Sequence, residues 1–169
     1  MALSNKFGLM LLTTGNKSEM SVGYATLYGD MCGGFSVLKD LYKTEVYRLS
    51  RWRNTHRPRL AKGPAGEVIP DRTLTRLPTA ELRPNQTDQD SLPPYDQLDA
   101  ILTGLIEEER SVDELSARVA PREIVSRVQQ MHYTAEHKRR QAPPGVKDSR
   151  RSCGRDRRYP ITNRFRELE

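Results

Sequence analysis

A short polar loop follows the first apolar run of the chain and carries residue types that bind phosphates and hard cations. The apolar run spans residues 7–12, and the loop reads Thr13, Thr14, Gly15, Asn16, Lys17, Ser18 and Glu19. We interpret this as a strand that ends in a loop and continues into a helix, the arrangement in which open α/β sheets bind ligands. The helix N-terminus offers unpaired N–H groups to a phosphate. Glu19, the only acid in the loop, supplies the oxygen ligands that Mg²⁺ prefers.

The same loop has a purely structural interpretation as a capped helix start. Ser18 or Thr14 would then cap the helix, and the helix dipole would favour Glu19 in the first turn. The seven residues alone are compatible with both interpretations.

Six blocks of sequence, in a fixed order along the chain, resemble the synthetase domain of glutamine-dependent NAD synthetases. The first block comprises residues 11–20 (LLTTGNKSEM) and 23–30 (GYATLYGD). The others are residues 39–44 (KDLYKT), 78–84 (PTAELRP), 90–95 (DSLPPY), 137–145 (HKRRQAPPG) and 154–163 (GRDRRYPITN). Ordered blocks that span nearly the whole chain are far more specific than a single short motif.

The resemblance implies a fold and a reaction. The fold is α/β: a doubly wound parallel sheet of the adenine nucleotide alpha hydrolase-like (ATP pyrophosphatase) type, of which this chain is the helix-rich C-terminal portion. The family transfers AMP from ATP to the carboxylate of deamido-NAD in the presence of Mg²⁺, and ammonia derived from glutamine then attacks the adenylate. Such a ligase acts by charge stabilisation and alignment, and it needs no protein nucleophile. A cytoplasmic homo-oligomer is implied for the full-length protein.

The resemblance also assigns roles to residues at matching positions. The residues expected to contact ATP are Thr14, Lys43 and Thr79. The residues expected to contact deamido-NAD are Glu19, Tyr24, Ala25, Thr26, Leu27, Asp30, His137 and Lys138. Glu19 is the expected Mg²⁺ ligand as well.

Two features of the family have no counterpart in the sequence. The Ser-Gly-Gly-x-Asp-Ser loop that wraps the pyrophosphate of ATP lies upstream of every matched block, and residues 33–36 supply glycines without the aspartate. The glutaminase domain with its Glu-Lys-Cys triad is missing too. Residues 147–154 also depart from the family, which carries a phenylalanine before the glycine. We interpret residues 1–169 as the C-terminal part of an NAD synthetase domain, with Met1 a fragment edge or a misplaced start, and we expect this chain alone to be inactive.

Charge and composition indicate a soluble piece with a basic end. The 169 residues carry a net charge of +6. Residues 138–169 hold eleven Lys and Arg against four Asp and Glu, so the rest of the chain is nearly neutral. A basic tail at 141–169 suits an anionic partner or is a solvated terminus. No apolar run is long enough to cross a membrane. Cys32 and Cys153 are expected to be free thiols in a reducing compartment.

Helices predominate among the elements that must position these residues. The first expected elements are a strand at residues 7–12, a helix at 17–28 closed by Gly29, a loop at 30–36 and a helix at 40–53. A mostly irregular, proline-rich connection follows at 56–97, and we expect it to be a lid, a binding loop or disordered. The last expected elements are helices at 95–109, after Ser111 and from Pro121 to about Arg140. Val46, Leu49 and Trp52 predict a core-facing stripe on the second helix. Ser111 and Glu114 have the spacing of a capping box.

Two other functions remain open at this point. Residues 111–140 and the arginine-rich tail could form a basic nucleic-acid-binding module, although no known motif interleaves aromatic residues with the basic run. The chain could also be a non-catalytic remnant of a synthetase. The resemblance favours the synthetase over both, and binding to nucleic acid is the least favoured of the three.

Overall fold

The computed structural model describes residues 1–80 and 82–162. Its regular elements are α1 Ala2–Phe7, β1 Leu12–Thr13, α2 Lys17–Val22, β2 Phe35–Ser36, α3 Lys43–Thr55, α4 Asp71–Thr75, α5 Tyr95–Leu102, α6 Val112–Ser116, α7 Arg122–Thr134 and α8 Glu136–Arg139. A 3-10 turn occupies Asp88–Asp90, and a π-helical segment, Thr103–Glu107, extends α5.

The two strands form a short parallel sheet, which agrees with the expected α/β class. Leu12 pairs with Phe35, and Thr13 pairs with Ser36. The expectation of a strand over residues 7–12 was wrong in extent. Residues up to Phe7 belong to α1, which ends at Gly8 in the left-handed conformation that closes many helices.

Helix α2 begins at Lys17, as expected, but its cap and its end differ from those that the sequence suggested. Its cap is Asn16, not Ser18 or Thr14: the Asn16 side chain accepts a hydrogen bond from the N–H of Glu19, and the Glu19 carboxylate accepts one from the N–H of Asn16. The helix stops at Gly23, with φ +72°, and not at Gly29. A Cβ on Gly23 would lie 2.8 Å from the Ala135 Cβ, so the close approach of α7 requires glycine here.

Helix α3 starts at Lys43, three residues later than expected, because Asp40 has other partners. The Asp40 carboxylate accepts hydrogen bonds from the N–H groups of Asp148 and Ser149. The apolar stripe predicted on this helix does not face the core. Leu49 and Trp52 are 46% and 45% exposed, and the Trp52 ring stacks on the ring of His56.

The hydrophobic core lies between α5, its π-helical extension, α6 and α7. Among the described residues, the apolar side chains with no more than 1% exposure are Leu98, Ile101, Leu102, Ile106, Leu115, Val125 and Val128. The apolar face predicted for residues 95–109 is therefore confirmed, whereas the π-helical geometry of residues 103–107 was not predicted. Gly104 packs directly under Leu115, where a Cβ would come within 2.4 Å of a leucine methyl group.

The capping box at Ser111 and Glu114 is also confirmed. Pro121 precedes α7 as its N-cap residue. The helix expected to run to about Arg140 is divided at Ala135 into α7 and α8, and α8 ends at Arg139.

The proline-rich connection between α3 and α5 is mostly irregular, as expected, but contains α4 and the 3-10 turn. Side-chain hydrogen bonds tie it to the body. The Asn54 side chain of α3 bonds the backbone of Val68 and Ile69, and the Gln86 side chain donates to the Tyr24 hydroxyl at 3.3 Å.

The basic tail packs on the body as far as Tyr159, so the interpretation as a solvated terminus was wrong for this part. Residues 160–162 are exposed, and residues 163–169 lie outside the described residues. Lys17, with no exposed surface, donates to Ser149 Oγ at 2.7 Å and to the Arg151 carbonyl at 2.9 Å. The Arg157 guanidinium donates to the Leu105 carbonyl at 2.7 Å. Cys153 is buried, and both cysteines are free.

Candidate functional site

A cleft of about 640 Å³ opens between the loop that follows β1, the first turns of α2 and α3, and the proline-rich connection. Its charged or strongly polar lining residues are Thr14, Asn16, Glu19, Tyr24, Asp30, Lys43, Tyr47, Arg72, Thr73, Arg76, Thr79 and Asp88. Three of these side chains are cationic and three are carboxylates. A volume of this size accommodates a small-molecule ligand.

An ion pair between Glu19 and Lys43 occupies the wall of the cleft at which α2 and α3 begin. The Lys43 ammonium lies 2.9 Å from Glu19 Oε1, and each side chain is nearly one-fifth exposed. Burial acts to lower the pKa of Lys43, but the adjacent Glu19 carboxylate outweighs it and leaves that pKa above its ordinary value. Lys43 is therefore a cation at neutral pH, with part of its surface open to the cleft.

Asp99 of α5, outside the cleft, fixes the starts of the two helices relative to each other. Ser18 Oγ donates to Asp99 Oδ1 and accepts a hydrogen bond from the N–H of Lys43 at 2.8 Å. Asp99 Oδ2 accepts from both the N–H and the hydroxyl of Thr44, at 2.9 and 2.8 Å. Burial raises the pKa of Asp99, and these hydrogen bonds act against that rise. The carboxylate thereby sets the spacing of Glu19 and Lys43.

Asp88 and Tyr24 also line the cleft, and Asp88 is bonded to Tyr95, which does not line it. The Tyr95 hydroxyl donates to Asp88 Oδ2 at 2.7 Å, and the Lys43 ammonium stands 5.2 Å from the centre of the Tyr95 ring. Burial, together with the Asp88 carboxylate, raises the pKa of Tyr24. Asp88 is only 3% exposed, and its buried Oδ1 has no hydrogen-bond partner within residues 1–80 and 82–162.

The structure brings six of the residues expected from the sequence into this one cleft. They are Thr14, Glu19, Tyr24, Asp30, Lys43 and Thr79. Asp30 is exposed and accepts a hydrogen bond from the N–H of Thr26 at 2.6 Å, which closes the turn after α2. Residues expected for ATP and residues expected for deamido-NAD thus share a single site.

Five other expected residues do not line the cleft: Ala25, Thr26, Leu27, His137 and Lys138. The Lys138 ammonium donates to the carbonyls of Gly23 and Ala25, both at 2.7 Å, and so holds the segment that carries Tyr24. His137 is exposed and bonds the Thr134 carbonyl through Nδ1. Their contacts with a ligand stay a prediction.

The carboxylates of the cleft fit Mg²⁺ only in company with ligand oxygens. Within residues 1–80 and 82–162, no three His, Cys, Asp or Glu side chains form a group that could hold a metal ion. Glu19 already bonds the N–H of Asn16 and the Lys43 ammonium. Because Mg²⁺ is commonly held by one or two carboxylates plus phosphate oxygens and water, Glu19 suits such a site when a phosphate is bound.

Sequence reasoning missed several residues of the site. Arg72 of α4 and Arg76, which follows the end of that helix, line the cleft, and no pattern in the sequence pointed to them. Asp88 and Asp99 gave no signal, because their importance comes from contacts between distant segments.

The NAD synthase family model matches residues 1–142 of the chain. A curated relative from Rhodobacter capsulatus, a glutamine-dependent NAD(+) synthetase, is 56% identical over 168 residues, which are 99% of this chain and 30% of the relative. The protein of the same name from Thermotoga maritima is 55% identical over 167 residues, or 28% of its length. The chain thus spans less than a third of these relatives.

A similar fold occurs in a solved structure of a glutamine-dependent NAD(+) synthetase from Cytophaga hutchinsonii. The similarity has a TM-score of 0.68 and 24% sequence identity, and it covers 96% of this chain and 26% of the other. At this identity the comparison speaks for the fold alone. No helix in the described parts of the chain combines the length and apolar character needed to cross a membrane.

Proposed function

The chain belongs to the NAD synthase family, and from this premise we propose that it supplies part of the site for the ATP-dependent amidation of deamido-NAD to NAD. The observation that carries the proposal is the Glu19–Lys43 pair in a cleft that also contains Thr14, Tyr24 and Thr79. We further propose that residues 1–169 form the C-terminal part of the synthetase domain.

Lys43, Thr14 and Thr79 are the proposed contacts to ATP. A carboxylate does not react with ammonia to give an amide unless it is activated, and transfer of AMP to the deamido-NAD carboxylate provides that activation. Negative charge gathers at the α-phosphate during the transfer, and a fixed cation stabilises it. Lys43 is held in position by Glu19, and its backbone is held by Ser18. Arg72 and Arg76 add positive charge on the facing side of the cleft.

Glu19 is the residue that would hold Mg²⁺, together with oxygens of the bound phosphates. The ion supplies charge neutralisation at the phosphates and orients them for displacement. Glu19 is suited to this position because its backbone lies in the first turn of α2 and its side chain is fixed by the N–H of Asn16.

Tyr24 and Asp30 are the proposed contacts to deamido-NAD inside the cleft, in the segment that also contains Ala25, Thr26 and Leu27. Lys138 holds the start of this segment through the carbonyls of Gly23 and Ala25. We propose that His137 and Lys138 approach deamido-NAD from the end of the late helix. In the longer protein, the nitrogen comes from glutamine, and the enzyme works as a homo-oligomer in the cytoplasm.

The contacts of the tail argue against a nucleic-acid clamp. Arg157 donates to two carbonyls of the π-helical extension of α5, and Lys147 pairs with Asp156 at 2.6 Å. Arg151 forms an ion pair with Glu109. Basic side chains that are engaged in this way cannot also follow a phosphate backbone without losing these partners.

A titration of the ¹⁵N-labelled chain with ATP and Mg²⁺, followed by NMR, tests the nucleotide site. We expect shifts at the backbone amides of Thr14, Glu19, Lys43 and Thr79, and about tenfold weaker binding by Lys43→Ala. Arg48→Ala is the control, because Arg48 is exposed on the same helix and pairs only with Glu45 among the contacts described. An unchanged spectrum, or equal affinities of the two variants, would overturn the proposal.

A further inference from the structure

Asp88 presents a buried carboxylate to the cleft. The residue lines the cleft, yet it is only 3% exposed. Among the residues that the structure describes, none gives its Oδ1 a hydrogen bond. Buried polar atoms are almost always hydrogen bonded, so an unpartnered carboxylate oxygen beside a cleft indicates that a ligand atom completes its shell.

The surrounding contacts hold Asp88 in one position. The Tyr95 hydroxyl donates a hydrogen bond to Asp88 Oδ2, and the backbone N–H of Asp88 donates to the Pro78 carbonyl at 3.0 Å. Asp90 closes the 3-10 turn by accepting hydrogen bonds from the N–H and hydroxyl of Thr87. Oδ1 is therefore a preorganised acceptor, and binding to it costs little rearrangement.

The chemistry of the carboxylate limits the ligand group that it accepts. An ionised carboxylate is an acceptor only, and it repels phosphate oxygens. The ligand group at Oδ1 is therefore a hydrogen-bond donor, such as a hydroxyl or an amine.

The residues around Asp88 indicate which of these two ligand donors, a hydroxyl or an amine, lies at Oδ1. The Tyr95 hydroxyl bonds Asp88, and the Tyr95 ring lies 5.2 Å from the Lys43 ammonium, the proposed phosphate contact. Pro78, which accepts the N–H of Asp88, immediately precedes Thr79, the second proposed ATP contact. In ATP, the donors close to the phosphates are the ribose hydroxyls, whereas the adenine amino group is at the far end of the molecule.

We propose that Asp88 Oδ1 binds a ribose hydroxyl of ATP, an inference that rests on the nucleotide site proposed above. Carboxylates bind ribose hydroxyls in this manner in dinucleotide-binding folds. Asp88 would then fix the sugar while Lys43 and Thr79 fix the phosphates. This division of roles makes Asp88 a specificity residue for ribonucleotides over deoxyribonucleotides.

Comparison of ATP with 2′-deoxy-ATP and 3′-deoxy-ATP tests the inference on the unmodified chain. Each nucleotide is titrated into ¹⁵N-labelled protein with Mg²⁺ while the amide of Asp88 and those of the cleft are followed. We expect at least one deoxy analogue to bind about tenfold more weakly than ATP, since a hydrogen bond to a charged group is lost.

Two variants assign the effect to Asp88. Asp88→Asn is expected to bind ATP about tenfold more weakly and to bind ATP and the deoxy analogues alike. Asp96→Asn is the control, because Asp96 is exposed in the first turn of α5, lies outside the turn that holds Asp88 and does not line the cleft. It should keep the full preference for ATP.

The outcomes separate the two proposals. If wild-type protein binds ATP and both deoxy analogues equally, the ribose contact is wrong and the nucleotide site stands. A preference that survives in a folded Asp88→Asn also overturns the contact. If Asp88→Asn does not fold, the comparison of nucleotides on wild-type protein decides. Failure of ATP itself to bind overturns the nucleotide site and, with it, this inference.

Discussion

Ser18 at the start of α2 donates a short hydrogen bond to Asp99 of α5, which lies 81 positions later in the sequence. The same Ser18 hydroxyl accepts a hydrogen bond from the N–H of Lys43 at the start of α3. A backbone amide at the start of α3 is thus satisfied by a side chain from α2. The relative placement of Glu19 and Lys43 follows from this relay.

Asp99→Asn should therefore lower both stability and nucleotide affinity. Asp99 uses one carboxylate oxygen to accept from Ser18 and the other to accept from Thr44. The asparagine side chain has only one oxygen, so one of these buried donors loses its acceptor, at a cost of about 1–3 kcal/mol of folding free energy. Urea denaturation and an ATP titration measure the two effects. Asp96→Asn on the exposed face of the same helix is the control, and an Asp99 variant as stable as this control would contradict the role.

Glu19→Gln should abolish most activity in a longer protein that contains this chain, with little loss of stability. Glutamine can still accept the N–H of Asn16, but it lacks the charge that a hard cation requires. We expect about a hundredfold drop in turnover, on the order of 3 kcal/mol of transition-state stabilisation.

Glu45→Gln is the matched control for Glu19→Gln. Glu45 has the same position in the first turn of α3, where it accepts the N–H of Tyr42, but it does not line the cleft. Activity is assayed as NAD formed from deamido-NAD, ATP and ammonium. Similar turnover by the two variants would show that Glu19 serves only as a helix cap.

This chain alone should form no NAD under the same conditions.

Protonation of His132 should destabilise the fold in acid. Burial, assisted by the nearby Arg139, lowers the pKa of His132 from 6.5 to about 3. The unfolded chain binds a proton near pH 6.5 and the folded chain does not, so stability is full above pH 6.5 and declines as the pH falls toward 3. The contribution is about 1.4 kcal/mol per pH unit within this window.

Urea denaturation at several pH values tests the effect of His132. His132→Gln should have a shallower dependence of the free energy of unfolding on pH than wild-type protein between pH 6.5 and 4. His56→Gln, at an exposed histidine, should retain the wild-type dependence. Parallel curves for wild-type protein and His132→Gln would contradict the prediction.

Gly104→Ala should destabilise the core, since the new methyl group would meet a leucine. The added Cβ would lie 2.4 Å from one methyl carbon of Leu115, which is 1% exposed and has no free space to retreat into. We expect a loss of about 1–3 kcal/mol. Shortening the neighbour in Gly104→Ala/Leu115→Val should recover part of this loss in thermal denaturation, and additive losses would refute direct overpacking.

Sequence reasoning succeeded where a signal is local. The apolar face of α5 and the capping box at Ser111 depend on spacings of three and four residues, and both were found. The end of α2 was misplaced because two glycines, Gly23 and Gly29, satisfied the same rule, and only the approach of Ala135 distinguishes them.

The site itself was only partly accessible from the sequence. Family motifs brought Glu19, Lys43 and Thr79 forward, and the structure places them together in one cleft. Asp88 and Asp99 could not be found in this way, because each acts through partners that the chain brings together only on folding. The exposure of Trp52 was missed because the spacing of apolar residues along α3 defines a face of the helix but does not tell whether other elements pack on that face.

The buried Lys17 has a consequence for the order in which the chain folds. Its ammonium is completed by Ser149 and by the carbonyl of Arg151, which follow it by 132 and 134 residues. The carboxylates of Asp40 and Glu107 also pair with this ammonium, and a ribosome makes them earlier. Lys17 therefore gains its charged partners first, and the full set of acceptors around the first helix of the cleft is complete only after residue 151 has been made.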